Sequence, residues 1–277
     1  MDRVDILSLK YLLADTDILL GKDEIRSTIL EKNGDWFCPE LVDAFMEISN
    51  SEAFWFSLES DRINSYVGTW LSDTTSQSMT FEELRSLVHL FSRIVDAKSP
   101  YTKQHSDGVA YLARFIGSLF GFTEETCELL ELAGLLHDIG KLRVPDELLE
   151  KPGKLTQAEN ITMLRHSFDT YRILKNIRGF EKIALWAAQH HERVDGSGYP
   201  YHTKNENLSQ EARIVAAADV FQALAQRRPY REAMNTAEIF DILKQQVGDD
   251  KLDGKVVAMI NTHLQDCWQA ALQVTPN

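Results

Sequence analysis

Apolar residues recur every third or fourth position along most of the chain. Leu84, Leu87, Val88, Phe91, Ile94 and Val95 form one stripe, and Val109, Leu112, Ala113, Ile116 and Phe120 form another that Gly121 stops. That period is one face of an α-helix. Thr156 with Glu159 three residues on is a capping box, which predicts a helix running to about Asn176. The same patterning predicts helices near 124–138, 181–191, 209–226, 237–247 and 255–272. No stretch alternates with period two over the length of a strand, so the expected fold is all-α.

Two segments break the helical pattern. Residues 72–80, SDTTSQSMT, are polar and aperiodic and read as a linker between a small helical module at 1–71 and a larger domain at 81–277. Residues 194–208, VDGSGYPYHTKNENL, carry Gly196, Gly198 and Pro200 in quick succession and must form a structured loop. There is also an internal echo. Residues 24–45 lie on 238–260 with one extra residue in the second copy, matching Glu-Ile, Gly-Asp and a late Val. Either two unrelated amphipathic helix pairs produce this match, or the N-terminal module is the degenerate remnant of a second copy of the larger domain.

Composition narrows the function classes. The formal net charge of −13 disfavours long nucleic acid, whose phosphates need a basic face. A small anion remains acceptable if metal ions and a few placed cations invert the local potential. Cys38, Cys127 and Cys267 are far apart in sequence and form no metal-binding spacing, so reduced thiols are expected. No stretch approaches the roughly 20 apolar residues of a membrane span. The start, MDRVDILSLKYLLADTD, carries acids where a secretory leader needs positive charge, and a cytoplasmic location is expected.

Five of the eight histidines, His105, His137, His166, His190 and His191, fall near the middle or end of predicted helices. Imidazole is a common ligand of zinc, iron, manganese and nickel, and aspartate adds a hard oxygen able to bridge two ions. His137 and Asp138 follow the apolar run LELAGLL, which puts both at the interior end of a buried helix. Taken alone, the dipeptide reads first as a polar pair capping that helix.

The dipeptide opens HDIGK at 137–141, and HHERVDGSGYP follows at 190–200. Together these strings resemble the HD-GYP family, matching its pattern HHExxDGxGYP at every fixed position. The resemblance covers about 81–277, including KPGKLT at 151–156 and DVFQAL at 219–224. It implies an HD-superfamily helical bundle with an ordered GYP loop formed by Asp195, Gly196, Gly198, Tyr199 and Pro200. It also implies two divalent transition-metal ions, iron or manganese ahead of nickel or zinc, held by His105, His137, Asp138, His166, His190, His191 and Asp219. Asp138 would bridge the ions. Lys141 would face the scissile phosphate, and Arg228 and Arg231 would hold substrate phosphates.

The activity so implied is hydrolysis of a cyclic dinucleotide by a hydroxide bridging the ions, with cyclic di-GMP giving linear 5′-pGpG, or 3′,3′-cyclic GMP-AMP as the alternative substrate. A different class of protein, a silent cyclic-dinucleotide sensor or docking module, would need no such nucleophile. A homodimer, and a protein partner meeting the GYP loop, are further expectations of the resemblance. Departures from the family are also visible. Tyr101 stands where some members have a Glu ligand to a third ion, and Gln222 and Ala225 replace a usual Asp and Thr.

Overall fold

The computed structural model describes residues 22–50, 79–98, 105–227 and 232–273. The chain divides into two compact units, Met1–Ser78 and Met79–Asn277. Every extended element among the described residues is a helix, and the one β contact there is an isolated bridge between Asn33 and Phe37.

In the first unit, α1 (Lys22–Glu31) and α2 (Pro39–Ile48) are joined by a turn in which Gly34 takes φ 77°, a left-handed conformation that glycine adopts without steric cost. Ile25 and Val42 are the buried apolar residues among those described in this unit, and Arg26 ties the helices together by donating to the Met46 carbonyl at 3.1 Å. The echo meets this geometry in part. Ile25 lies on buried Ile239, Val42 on buried Val257, and the cap residue Cys38 on the cap residue Asp253. The first helices end differently, since α1 stops at Glu31 whereas its counterpart runs to Gly248.

The second unit contains α3 (Phe81–Lys98), α4 (His105–Leu119), α5 (Glu124–Leu136), a 3₁₀ turn (Ile139–Arg143), the short α6 (Asp146–Leu149), α7 (Gln157–Leu174) and α8 (Glu181–Ala188). It continues through α9 (Gln210–Ala225), α10 (Thr236–Gly248), α11 (Gly254–Thr262) and α12 (Leu264–Ala271). Of the expected linker, Met79 and Thr80 are described, and Thr80 donates its N–H to Glu83 at 2.8 Å where α3 begins.

The caps account for many of the helix starts. Thr156 and Glu159 form the expected capping box, Asn235 and Glu238 form another, and Thr123, Ser209 and Asp253 cap α5, α9 and α11. Helix α4 is central, packing on α5, α9 and α12, while α7 packs on α8 and on the 3₁₀ turn. Leu112, Ile116, Leu130, Leu132, Leu135, Ile214 and Phe221 fill the resulting core. Glu131 is buried among them as a carboxylate shared by Arg85 and Arg114, whose side chains keep that charge paired.

Three expected helices are shorter than the pattern suggested. The stretch 255–272 is interrupted at His263, where φ −123° and ψ 35° separate α11 from α12. Helix α5 ends at Leu136 and α8 at Ala188, so His137, Asp138, His190 and His191 sit in the turns that follow. Apolar periodicity continues past both helix ends because those turns are themselves buried.

Candidate metal centre

His137 and His190, in the turns that leave α5 and α8, and His166, inside α7, aim their imidazoles toward one another. His137 Nδ1 bonds the Gly134 carbonyl at 2.7 Å, His166 Nδ1 bonds Met163 at 2.6 Å, and His190 Nδ1 bonds Ala187 at 2.6 Å. The spacing is the same each time, a histidine donating to the carbonyl three residues back. His105 opens α4 and turns its Nδ1 to Gln222 Oε1 of α9, 2.5 Å away. With these four Nδ1 atoms so engaged, their Nε2 atoms face inward, which is how protein scaffolds orient metal-ligating histidines.

The inward nitrogens meet two carboxylates. Asp219 Oδ1 lies 3.1 Å from His105 Nε2 and 3.9 Å from His137 Nε2. The two oxygens of Asp138 divide between two groups. Oδ2 is 3.2 Å from His137 Nε2, whereas Oδ1 is 3.4 Å from His166 Nε2 and 3.9 Å from His190 Nε2. His191 stacks beside His190, their ring centroids 3.9 Å apart. Three sets of donors lie close enough to share an ion: His166, His190 and His191; His105, His137 and Asp138; His137, His190 and Asp219.

The electrostatics fit a cation. Burial opposes the charge on His166, His190 and His191 and lowers all three, His191 to about 4, so these rings are neutral at pH 7. Burial also opposes ionisation of Asp138 and Asp219, yet Lys141 and His137 at Asp138, and His105 and His137 at Asp219, hold both carboxyls well below the usual carboxylate range. Against its own burial, His137 is raised to about 9 by Asp138 and Asp219.

Neutral rings that donate through Nδ1 have only lone pairs at Nε2. The Nε2 atoms of His166 and His190 nevertheless face each other at 3.3 Å, and buried Asp138 Oδ1 has no hydrogen-bond partner. Lone pairs crowding together away from water are costly unless a positive charge lies among them. The donors are all nitrogen and oxygen, a set that suits iron, manganese, nickel and zinc.

Lys141 stands in the 3₁₀ turn with its ammonium 2.5 Å from Asp138 Oδ2, so in this structure it is paired with the carboxylate. The turn fits closely against α7. A Cβ on Gly140 would lie 1.9 Å from the His166 carbonyl oxygen, and Thr170 Oγ1 accepts from Gly140 N–H while donating to the His137 carbonyl, both at 3.0 Å. The expected residues Arg228 and Arg231, and also Tyr101, lie outside the described residues.

The GYP loop is ordered from behind the histidines. Buried Glu192 accepts from Tyr201 N–H at 2.7 Å and Thr203 N–H at 3.0 Å. Gly198 is pressed onto the backbone of 191–193, where a Cβ would meet Glu192 Cα at 2.5 Å. The Tyr199–Pro200 peptide is cis, and the Tyr199 ring lies 4.8 Å from that of His191. Asp195 is exposed and accepts from Ser197 N–H at 2.8 Å, while its own N–H reaches the Asp250 carbonyl. Glu192, Thr170 and Gln222 were not assigned these tasks from sequence. Glu192 lies inside the HHE string, but the groups it holds are nine and eleven residues on.

The family model described as HD domain matches residues 89–256. The 3'3'-cGAMP-specific phosphodiesterase 1 of Vibrio cholerae is 37% identical over 279 residues, 99% of this chain and 64% of the relative. The cyclic di-GMP phosphodiesterase response regulator RpfG of Xanthomonas campestris is 40% identical over 154 residues, 55% of this chain and 41% of the relative. The chain thus spans less than two thirds of the length of either. The L. monocytogenes phosphodiesterase PgpH HD domain, solved in complex with cyclic-di-AMP, shares the fold with a TM-score of 0.50 at 21% identity, over 68% of this chain and 100% of that one.

Proposed function

The chain belongs to the HD domain family, in its HD-GYP branch, and on that premise we propose that it is a metal-dependent phosphodiesterase that opens a guanine-containing cyclic dinucleotide to a linear one. The observation that carries this reading is the convergence of Nε2 lone pairs on the unpartnered Oδ1 of Asp138. A module that only senses a nucleotide has no need of that arrangement.

Two ions would be held by His105, His137, Asp138, His166, His190, His191 and Asp219, with Asp138 between them. When bound, they supply Lewis acidity that activates water near neutral pH and neutralises charge on the phosphate. The protein's own groups do the rest. The carbonyls of Gly134, Met163 and Ala187 fix three ring orientations, and Gln222 fixes the fourth. Lys141 holds a positive charge beside Asp138, from where it can turn to the scissile phosphate, and Arg228 and Arg231 bind the phosphates. Hydrolysis breaks one P–O ester bond of the ring and leaves a terminal phosphate.

Cyclic di-GMP is the first substrate of the sequence reading. A second substrate, 3′,3′-cyclic GMP-AMP, is favoured by one observation. The relative named for that nucleotide matches 99% of the chain, including the N-terminal unit, whereas the relative named for cyclic di-GMP matches 55%. We assign the N-terminal unit as the remnant of a second HD-type domain, supported by the coincidence of Ile25 with Ile239 and of Val42 with Val257 at buried positions. A cytoplasmic setting accords with three free cysteines, and no described helix is long and apolar enough to cross a membrane. Removing metal with a chelator, then restoring iron or manganese, tests the reading. Turnover should vanish and return with about two ions per chain, as in other two-metal sites. Turnover that survives chelation refutes it.

A further inference from the structure

The 3₁₀ turn that carries Lys141 is held from outside the metal site by one side chain. Lys98, the last residue of α3, places its ammonium 2.8 Å from the Val144 carbonyl, 3.0 Å from that of Leu142 and 3.2 Å from that of Lys141, with Asp146 Oδ1 at 3.3 Å. An ammonium has three N–H donors and no acceptor, so these contacts exhaust it. They also explain the shape of the turn. Three carbonyl dipoles pointing at one place repel each other, and only a cation at that place makes the convergence favourable. The side chain is half-buried, so water is a poor substitute.

We propose that Lys98 is a positioning residue for the hydrolysis, acting through the main chain of Lys141. The proposal rests on the assignment of Lys141 to the phosphate. The bonds from Lys98 fall on the carbonyl of Lys141 itself and on that of the next residue, so they set the direction in which the Lys141 side chain leaves the turn. On the other side, Gly140 is fixed by Thr170 and by its contact with α7. The turn is therefore fastened to α7 before Lys141 and to α3 after it. Losing the α3 contact frees the part that carries the ammonium, while His137, at the start of the HDIGK string, keeps its attachment through Thr170 and Gly134.

The test is Lys98→Met in the full chain, a change that keeps the aliphatic stem and removes the cation, with Lys98→Arg beside it. Amide hydrogen exchange should quicken at Lys141 and Val144, whose N–H groups close the turn on the Asp138 and Lys141 carbonyls. With a cyclic dinucleotide, kcat should fall by roughly 10- to 100-fold, the scale of an ångström-sized misplacement. KM and metal content should stay within about twofold, since phosphate-binding arginines and metal ligands are untouched. Lys98→Arg, which keeps the charge, should recover part of both the protection and kcat. Unchanged exchange at Lys141 and Val144 would overturn the clamp. A clamp confirmed by exchange but with kcat unchanged would overturn its role in positioning. If the wild-type protein cleaves no cyclic dinucleotide, the functional reading fails separately, and the exchange measurement still decides whether Lys98 holds the turn.

Discussion

The HDIGK turn and the GYP loop both carry histidines of the candidate metal site just past a helix end, and they differ in where their support comes from. The turn is five residues of 3₁₀ helix whose main chain is gripped by neighbouring helices, with Gly140 against α7, Thr170 of α7 bridging two main-chain groups and Lys98 of α3 gripping three carbonyls. The loop is longer and leans on side chains and remote backbone, with Glu192 folded back on Tyr201 and Thr203 and Asp195 reaching Asp250. In the turn, support and chemistry occupy the same few residues. In the loop they are separate: His190 and His191 face the site, and the glycines and Pro200 shape the surroundings. Damage to the turn should therefore strike fold and chemistry together, whereas damage to the loop should remain local.

The sharpest way to break that contrast is Asp138→Ala. It removes the oxygens that face both histidine groups, so elemental analysis should find at least one ion lost, and hydrolysis should drop below detection. Lys141→Ala comes next, and here the metal content should hold while turnover falls by about 10²–10³-fold, the scale of one preorganised electrostatic contact. Ions lost from the lysine variant would mean that the turn's members cannot be separated even by role.

Gly140→Ala should cost at least about 1–3 kcal/mol of stability in urea unfolding, because the added carbon meets immovable backbone. Glu192→Ala strands two loop N–H groups at about 1–3 kcal/mol each if water does not replace the carboxylate. Hydrogen exchange should then quicken over 193–203 and leave the HDIGK turn protected, and loss of protection in both would erase the distinction drawn between them.

The smallest effect concerns Asp96 on α3, which accepts from Ser106 beside the turn's outer support. Burial pushes its carboxyl up to about 6 from 3.8, against the opposing pull of Ser106 and His105. The folded state thus binds the proton more tightly than the unfolded one. That contribution is fully present below about pH 4 and is lost as pH rises through about 6. Metal-free Asp96→Asn should therefore gain on the order of 2 kcal/mol over the wild type at pH 8, with the difference closing toward pH 4. A gain that does not depend on pH would point to packing instead.

What could be read from sequence follows the range of the interactions. Apolar stripes and capping boxes are local, and they placed α3, α7 and α10 well. His137, Asp138, His190 and His191 were legible because HDIGK and HHERVDGSGYP concentrate candidate metal donors into short strings. Helix ends were misjudged at Leu136, Ala188 and His263, since buried turns continue an apolar pattern that no longer reports helical geometry. The tasks of Glu192, Thr170, Gln222 and Lys98 were not legible at all. Each bonds a group at least nine residues away, and Gln222 meets His105 across 117. Nothing in local periodicity encodes such pairings.

The central claim is that this site cleaves a cyclic dinucleotide. It is tested most directly by incubating metal-loaded protein with equal concentrations of cyclic di-GMP and 3′,3′-cyclic GMP-AMP and resolving the products by chromatography. The account predicts that at least one is converted to its linear dinucleotide, 5′-pGpG in the case of cyclic di-GMP. Metal-loaded protein that binds both nucleotides and returns them intact would contradict it.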